Sequence, residues 1–219
     1  MIQFNLVPTK SVASLLARLT VLVGLLSFLG CLGPRPDQRR YYGLGELSLP
    51  KSTAKSLPNT GLVVPTFEVG STYDRQQMCE RLGPVEVSYP RDHLWVDKPH
   101  RLFNERMVGW LRATGLFSKV ASVFNVGHPR WVMGGEVLAV EVQPRDKGWS
   151  TRLRIRLSLR EVKSGVLIWR RDWDLRKRLR GASYAAAARA ISDSYQQILQ
   201  QSAVALKPFA LKAMAAPDS

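Results

Sequence analysis

The stretch TRLRIRLSLR, residues 151–160, alternates without a fault: Leu153, Ile155, Leu157 and Leu159 take one parity, Arg152, Arg154, Arg156 and Arg160 the other. Side chains two residues apart share one face of a strand, so the segment suits a sheet with one buried and one wet face. A slip of one residue would turn every leucine into water, so the register is strongly specified.

The segments around it extend the same design. GVLIWRRDWDLRKRL returns after the turn Lys163-Ser164-Gly165, with Gly165 at the left-handed position of a three-residue hairpin loop. That turn predicts Arg156 opposite Asp172 and Arg154 opposite Asp174. Upstream, WVMGGEVLAVEVQ completes an antiparallel meander, and FSKVASVF reads as a further strand. GLVVPTFEV and VEVSY are short β-branched runs of strand type, with Pro65 marking an edge, a strand end or a bulge.

Two helices are expected. After Pro99, the residues Phe103, Met107, Trp110 and Leu111 fall on one helical face and Gly115 supplies a stop, predicting a helix over 99–113. A second, alanine-rich helix should run from a capping Ser183 to Lys207 and end at Pro208, with Tyr184, Ala188, Ile191, Tyr195 and Ile198 inward. Strands in one group and helices without βαβ alternation predict an α+β domain over residues 61–207: a mostly antiparallel sheet with two main helices packed on one face, then a tail, 208–219.

Lys and Arg number 32 against 17 Asp and Glu, a formal charge of +15, which favours an anionic partner. The excess gathers on the meander. Cross-strand pairs occupy two arginines, and the remaining rim among Arg152, Arg154, Arg156, Arg176, Lys177, Arg178 and Arg180 is a candidate contact for phospholipid headgroups or a partner protein. Trp169 and Trp173 between the arginines suit nucleic acid, but a chain with an export leader would rarely meet it.

That leader is residues 1–30. Lys10 and Arg18 are its only charges, and the apolar stretch Leu19–Leu29 is shorter than the roughly 20 residues a spanning helix needs. Phe28-Leu29-Gly30-Cys31 resembles the bacterial lipobox, which implies acylation of Cys31 as the first mature residue; Leu32 in place of Asp then implies the outer membrane, facing the periplasm. Residues 31–60 read as the lipidated N-terminus and a flexible tether, in which YYGLGEL is apolar enough to lie on the domain as an edge.

No nucleophile elbow, phosphate loop or paired-histidine metal motif occurs, so no catalytic residue, metal or cofactor is expected. His93, His100 and His128 read as surface or hydrogen-bonding histidines, and Cys79 as a half-buried apolar residue.

The order lipobox, YYGL, VEVSYPRDHLWVDKP, helix and basic meander resembles the ABC-type transport auxiliary lipoprotein family, which includes the PqiC-like, MCE-associated outer-membrane lipoproteins. Tyr41, Tyr42, Tyr89, Leu94 and Trp95 occupy its motif positions. The resemblance implies a non-catalytic envelope lipid-transport component attached by N-terminal acyl chains. Its partners would be an MCE-domain protein and, in many cases, an ABC transporter; phospholipid contact and homo-oligomers stay open. The competing classes are a lipoprotein of lipopolysaccharide or β-barrel assembly, and an envelope hydrolase with dispersed catalytic residues.

Overall fold

The structure, a computed structural model, describes residues 38–46, 48–50, 61–123 and 129–215. The expected leader, Cys31, residues 51–60 and His128 lie outside the described residues. The chain divides after Gln38, and every element below belongs to the unit Arg39–Ser219. In chain order these are β1 (Arg40–Tyr42), β2 (Gly61–Val63), β3 (Glu68–Val69), β4 (Cys79–Arg81), β5 (Val87–Ser88), β6 (His93–Trp95), α1 (Pro99–Thr114), β7 (Lys119–Ala121), β8 (Trp131–Gln143), β9 (Ser150–Glu161), β10 (Leu167–Arg178) and α2 (Tyr184–Ala215).

The meander β8-β9-β10 is antiparallel, as its alternation predicts. Leu153, Ile155, Leu157 and Leu159 are at most 1 % exposed, and Arg152, Arg154 and Arg156 face the other side. Asp172 stands opposite Arg156 and Asp174 opposite Arg154. Gly165 turns the hairpin at φ 68°, where its N–H donates to the Glu161 carbonyl at 2.9 Å.

The expectation of a mostly antiparallel sheet does not hold. Among the described residues five of the eight strand pairings are parallel, and the sheet is mixed. The cause lies along β8. Leu62 sits beside Trp131, Glu68 beside Glu136 and Cys79 beside Glu141, so β2, β3 and β4 act as one interrupted strand running with β8. Pro65, which has no N–H to give a ladder, follows the end of β2. β7 then adds in parallel to β2.

A bulge lies between Val137 and Ala139 in β8. Before it the odd-numbered residues face the core; beyond it Val140 and Val142 oppose the inward Leu153 and Thr151. The extra residue turns Glu141 onto the same face as Glu136, five positions earlier, which an unbroken strand would forbid.

Both helices share one core with the sheet. Phe103, Met107, Trp110 and Leu111 of α1 are buried, and Gly115 ends the helix at φ 64°. At the start of α2 the Ser183 hydroxyl accepts from the Ala186 N–H at 3.2 Å. The helices meet where the Phe103 and Tyr195 rings lie 4.7 Å apart and the Tyr195 hydroxyl donates to the Phe103 carbonyl at 2.6 Å. Each large side chain so buried is worth about 1.5–3 kcal/mol.

Pro208 does not end α2, which continues to Ala215. A proline inside a helix strands the carbonyl four residues earlier. Here that residue is Val204, 75 % exposed and open to water, while Leu206 and Ala210 carry the buried stripe past the proline.

Candidate functional site

The five family-motif positions divide into an assembly and an outlier. β1 and β6 form a separate two-stranded parallel sheet that sets Tyr41 beside Leu94 and Tyr42 beside Trp95. Leu94 and Trp95 are buried, whereas Tyr41 is 55 % exposed. Tyr42 shares a hydrogen bond of 2.9 Å with His93 Nδ1. The His93 ring stacks on Tyr184 with centroids 3.7 Å apart, the Tyr184 hydroxyl donates to Glu80, and the Trp149 edge meets Tyr184. Burial and the carboxylate of Glu80 both push the Tyr184 hydroxyl upward. The YYGL segment is thus fastened to β6 and, through His93, to Tyr184 at the start of α2. Tyr89 stands apart, donating to the Thr72 carbonyl under the Arg75 guanidinium.

The predicted rim is only partly free cation. Arg156 forks onto Asp172 at 2.8–2.9 Å and reaches Glu136 at 3.0 Å. Arg152 forks onto Asp174 at 2.7–2.8 Å, one diagonal from the expected partner. Arg154, directly opposite Asp174, contributes charge to both aspartates. The hydrogen bonds from Arg156 and Arg152, then these charges, hold Asp172 and Asp174 below the usual carboxylate range. Lys177 leaves the rim altogether: it lies opposite the inward Thr151 and reaches Asp193 of α2 at 4.0 Å. Arg176, Arg178 and Arg180 are exposed at the end of β10 and beyond.

A polar cluster missed from the sequence lies on the same face. Glu141, 2 % exposed, accepts from Arg81 Nη2 at 2.7 Å, Arg81 Nε at 3.0 Å, the Tyr73 hydroxyl and Gln143. Burial pushes its carboxyl up, but those hydrogen bonds more than offset that and hold it below its ordinary value. Burial and the Glu141 carboxylate push the Tyr73 hydroxyl upward. The available signal was the spacing of Glu136 and Glu141, odd for one strand face. Cys79 is buried, its thiol pushed up to about 11 by desolvation.

Two concavities flank these features. Gly134 and Gly135 floor a pocket of about 400 Å³ edged by Glu68, Arg156, Arg160 and Arg170. Leu44, Leu49, Val96, Leu102 and Trp110 line a groove of about 650 Å³ between the YYGL segment and α1. His93 is wedged between Tyr42 and Tyr184; His100 is buried, its Nδ1 3.7 Å from Asp74, and burial lowers its basicity. Among the described residues no three His, Cys, Asp or Glu side chains are grouped to hold a metal ion, and no helix is long and apolar enough to cross a membrane.

What the fold and surface define is an α+β domain with helices on the core side of its sheet and a charged face on the other. The model of the ABC-type transport auxiliary lipoprotein component matches residues 42–203, and the chain belongs to that family. The family is one of auxiliary transport components. The fold is similar to that of protein XCC0632 from Xanthomonas campestris, of the DUF330 family, with a TM-score of 0.69 and 12 % identity over 81 % of this chain and 100 % of that one. An uncharacterized protein of solved structure gives 0.57 and 16 % identity over 77 % and 99 %. No curated protein matches the chain at a significant level.

Proposed function

We propose that the protein is a non-catalytic, periplasm-facing lipoprotein, acylated at Cys31, that positions an MCE-domain lipid-transport assembly at the outer membrane. An ABC transporter would belong to the same system. The observation that carries this reading is the family match over nearly all of the folded unit. The motif residues support it, because Tyr41, Tyr42, Leu94 and Trp95 pair in one small sheet next to the tether. The exposed arginines Arg176, Arg178 and Arg180 are the proposed contacts for a partner or for phospholipid.

Two measurements test the reading together. Radiolabelled palmitate should enter the mature protein and be lost in Cys31→Ser. A photo-crosslinking residue placed at Arg154 or Arg176 should capture an MCE-domain protein in cells. Label retained in the serine variant, or crosslinks only to β-barrel or lipopolysaccharide assembly proteins, would refute it.

A further inference from the structure

We infer that the basic end of the sheet, where the chain enters the domain, lies against an anionic phospholipid surface, with Arg40, Arg91, Arg145, Lys147, Arg178 and Arg180 as its contacts. The inference rests on the acyl anchor at Cys31 proposed above.

The register brings these residues to one end. Gln143, Ser150 and Arg178 are the terminal partners of β8, β9 and β10. The loop from Pro144 to Trp149 closes that end: Arg178 Nη2 donates to the Lys147 carbonyl at 3.4 Å, and the Leu179 N–H to the Trp149 carbonyl at 2.8 Å. Trp149 meets Tyr184 with centroids 5.2 Å apart, and Tyr184 stacks on His93. His93 is the partner of Arg40 in β1, and the Arg40 N–H donates to the Asp92 carbonyl at 2.7 Å. An unbroken line of contacts therefore joins the sheet end to the strand where the tether arrives.

All six cations are exposed; the acids beside this line are Asp92, Asp146, Glu80, which accepts from the Tyr184 hydroxyl, and Glu86, next to the Leu82 carbonyl that Arg145 approaches at 3.4 Å, so positive charge stays in excess. The middle of the arginine face differs, because Arg152 and Arg156 are held by carboxylates. Position selects a membrane over an acidic protein. Eight residues lie between Cys31 and Arg40; the nine Cα steps span at most about 32 Å. The field of anionic headgroups fades over about 8 Å at physiological ionic strength, so only the part of the domain nearest the anchor feels it. Exposed Tyr41 and half-buried Trp149 add rings of the kind that settle at the headgroup level.

The test uses the full-length acylated protein in phosphatidylcholine vesicles with and without phosphatidylglycerol, carrying a fluorophore at Asp146→Cys or, in the opposite hairpin, at Ser164→Cys. Cys79 is buried, so the new thiol takes the label. A headgroup-borne quencher should dim the label at 146 far more than that at 164 when phosphatidylglycerol is present. Arg145→Glu, Lys147→Glu, Arg178→Glu and Arg180→Glu combined should abolish the difference. The milder pair Lys147→Gln and Arg180→Gln, both at exposed sites, guards against misfolding and should weaken the charge-dependent contact about fivefold per residue. Equal quenching at the two ends, or quenching indifferent to phosphatidylglycerol, overturns the inference while leaving the anchor intact. Failure of the protein to float with vesicles sinks the anchor, and this inference with it.

Discussion

Glu141→Gln isolates the polar cluster with almost no change in volume. The wild-type carboxylate, 2 % exposed, accepts two hydrogen bonds from Arg81 and one each from Tyr73 and Gln143. Removing one member of a buried ion pair costs about 3–5 kcal/mol. The Arg81 side chain is 24 % exposed and can regain some hydration, which brings the expected loss to about 2–3 kcal/mol. At about 2–4 °C per kcal/mol for a domain of this size, the melting temperature should fall by about 4–12 °C. Urea unfolding followed by circular dichroism at several pH values is the assay. Because the folded carboxyl titrates below its ordinary value of 4.5, the stabilisation is complete above that pH. It is lost as the pH falls through the lower, folded value. The gap between wild type and variant must therefore close on acidification. A gap below about 0.5 kcal/mol at neutral pH, or one as wide in acid as at neutrality, would show that the Glu141 carboxylate does not stabilise the fold in this way.

Three further outcomes are expected. In Gly135→Ala the new Cβ would stand 2.4 Å from ring carbons of Phe67, itself buried; moving that ring should cost about 1–3 kcal/mol, read as a lower urea midpoint. Leu157→Ala, in the centre of the inward row of β9, should cost about 2–5 kcal/mol in the same assay. Asp174→Asn removes a largely exposed partner of Arg152 and should change stability by no more than about 1 kcal/mol, an effect that fades in high salt.

The parts legible in the sequence are those whose signal is local and repeated. Four inward aliphatics and their arginine partners set the register of β9, and Gly165 marks the turn that sets β10 against it. Pro99 and Gly115 bracket α1 within a residue of the expected end. The parallel additions were not legible, because β2, β3 and β4 are two or three residues long and too short to show a period. Their partner, β8, is chosen by packing far along the chain. The bulge beside Leu138 was hidden for a related reason: its trace is one odd spacing between glutamates, and only Tyr73 and Arg81, brought from elsewhere, make it necessary. The Cα register of Arg154 and Asp174 was readable, yet the ion pair went to Arg152, since a guanidinium reaches diagonally across a pleat. The motif tyrosines and Leu94-Trp95 were visible as a resemblance, whereas their pairing as parallel strands depends on three-dimensional closure.

Anchoring at Cys31 within an MCE lipid-transport system can be read out most directly by purifying the intact protein from its own envelope in mild detergent and quantifying co-purifying proteins by mass spectrometry. An MCE-domain protein should be enriched with wild type and depleted with Cys31→Ser. Enrichment of β-barrel or lipopolysaccharide assembly proteins, with no MCE-domain protein in either sample, would contradict it.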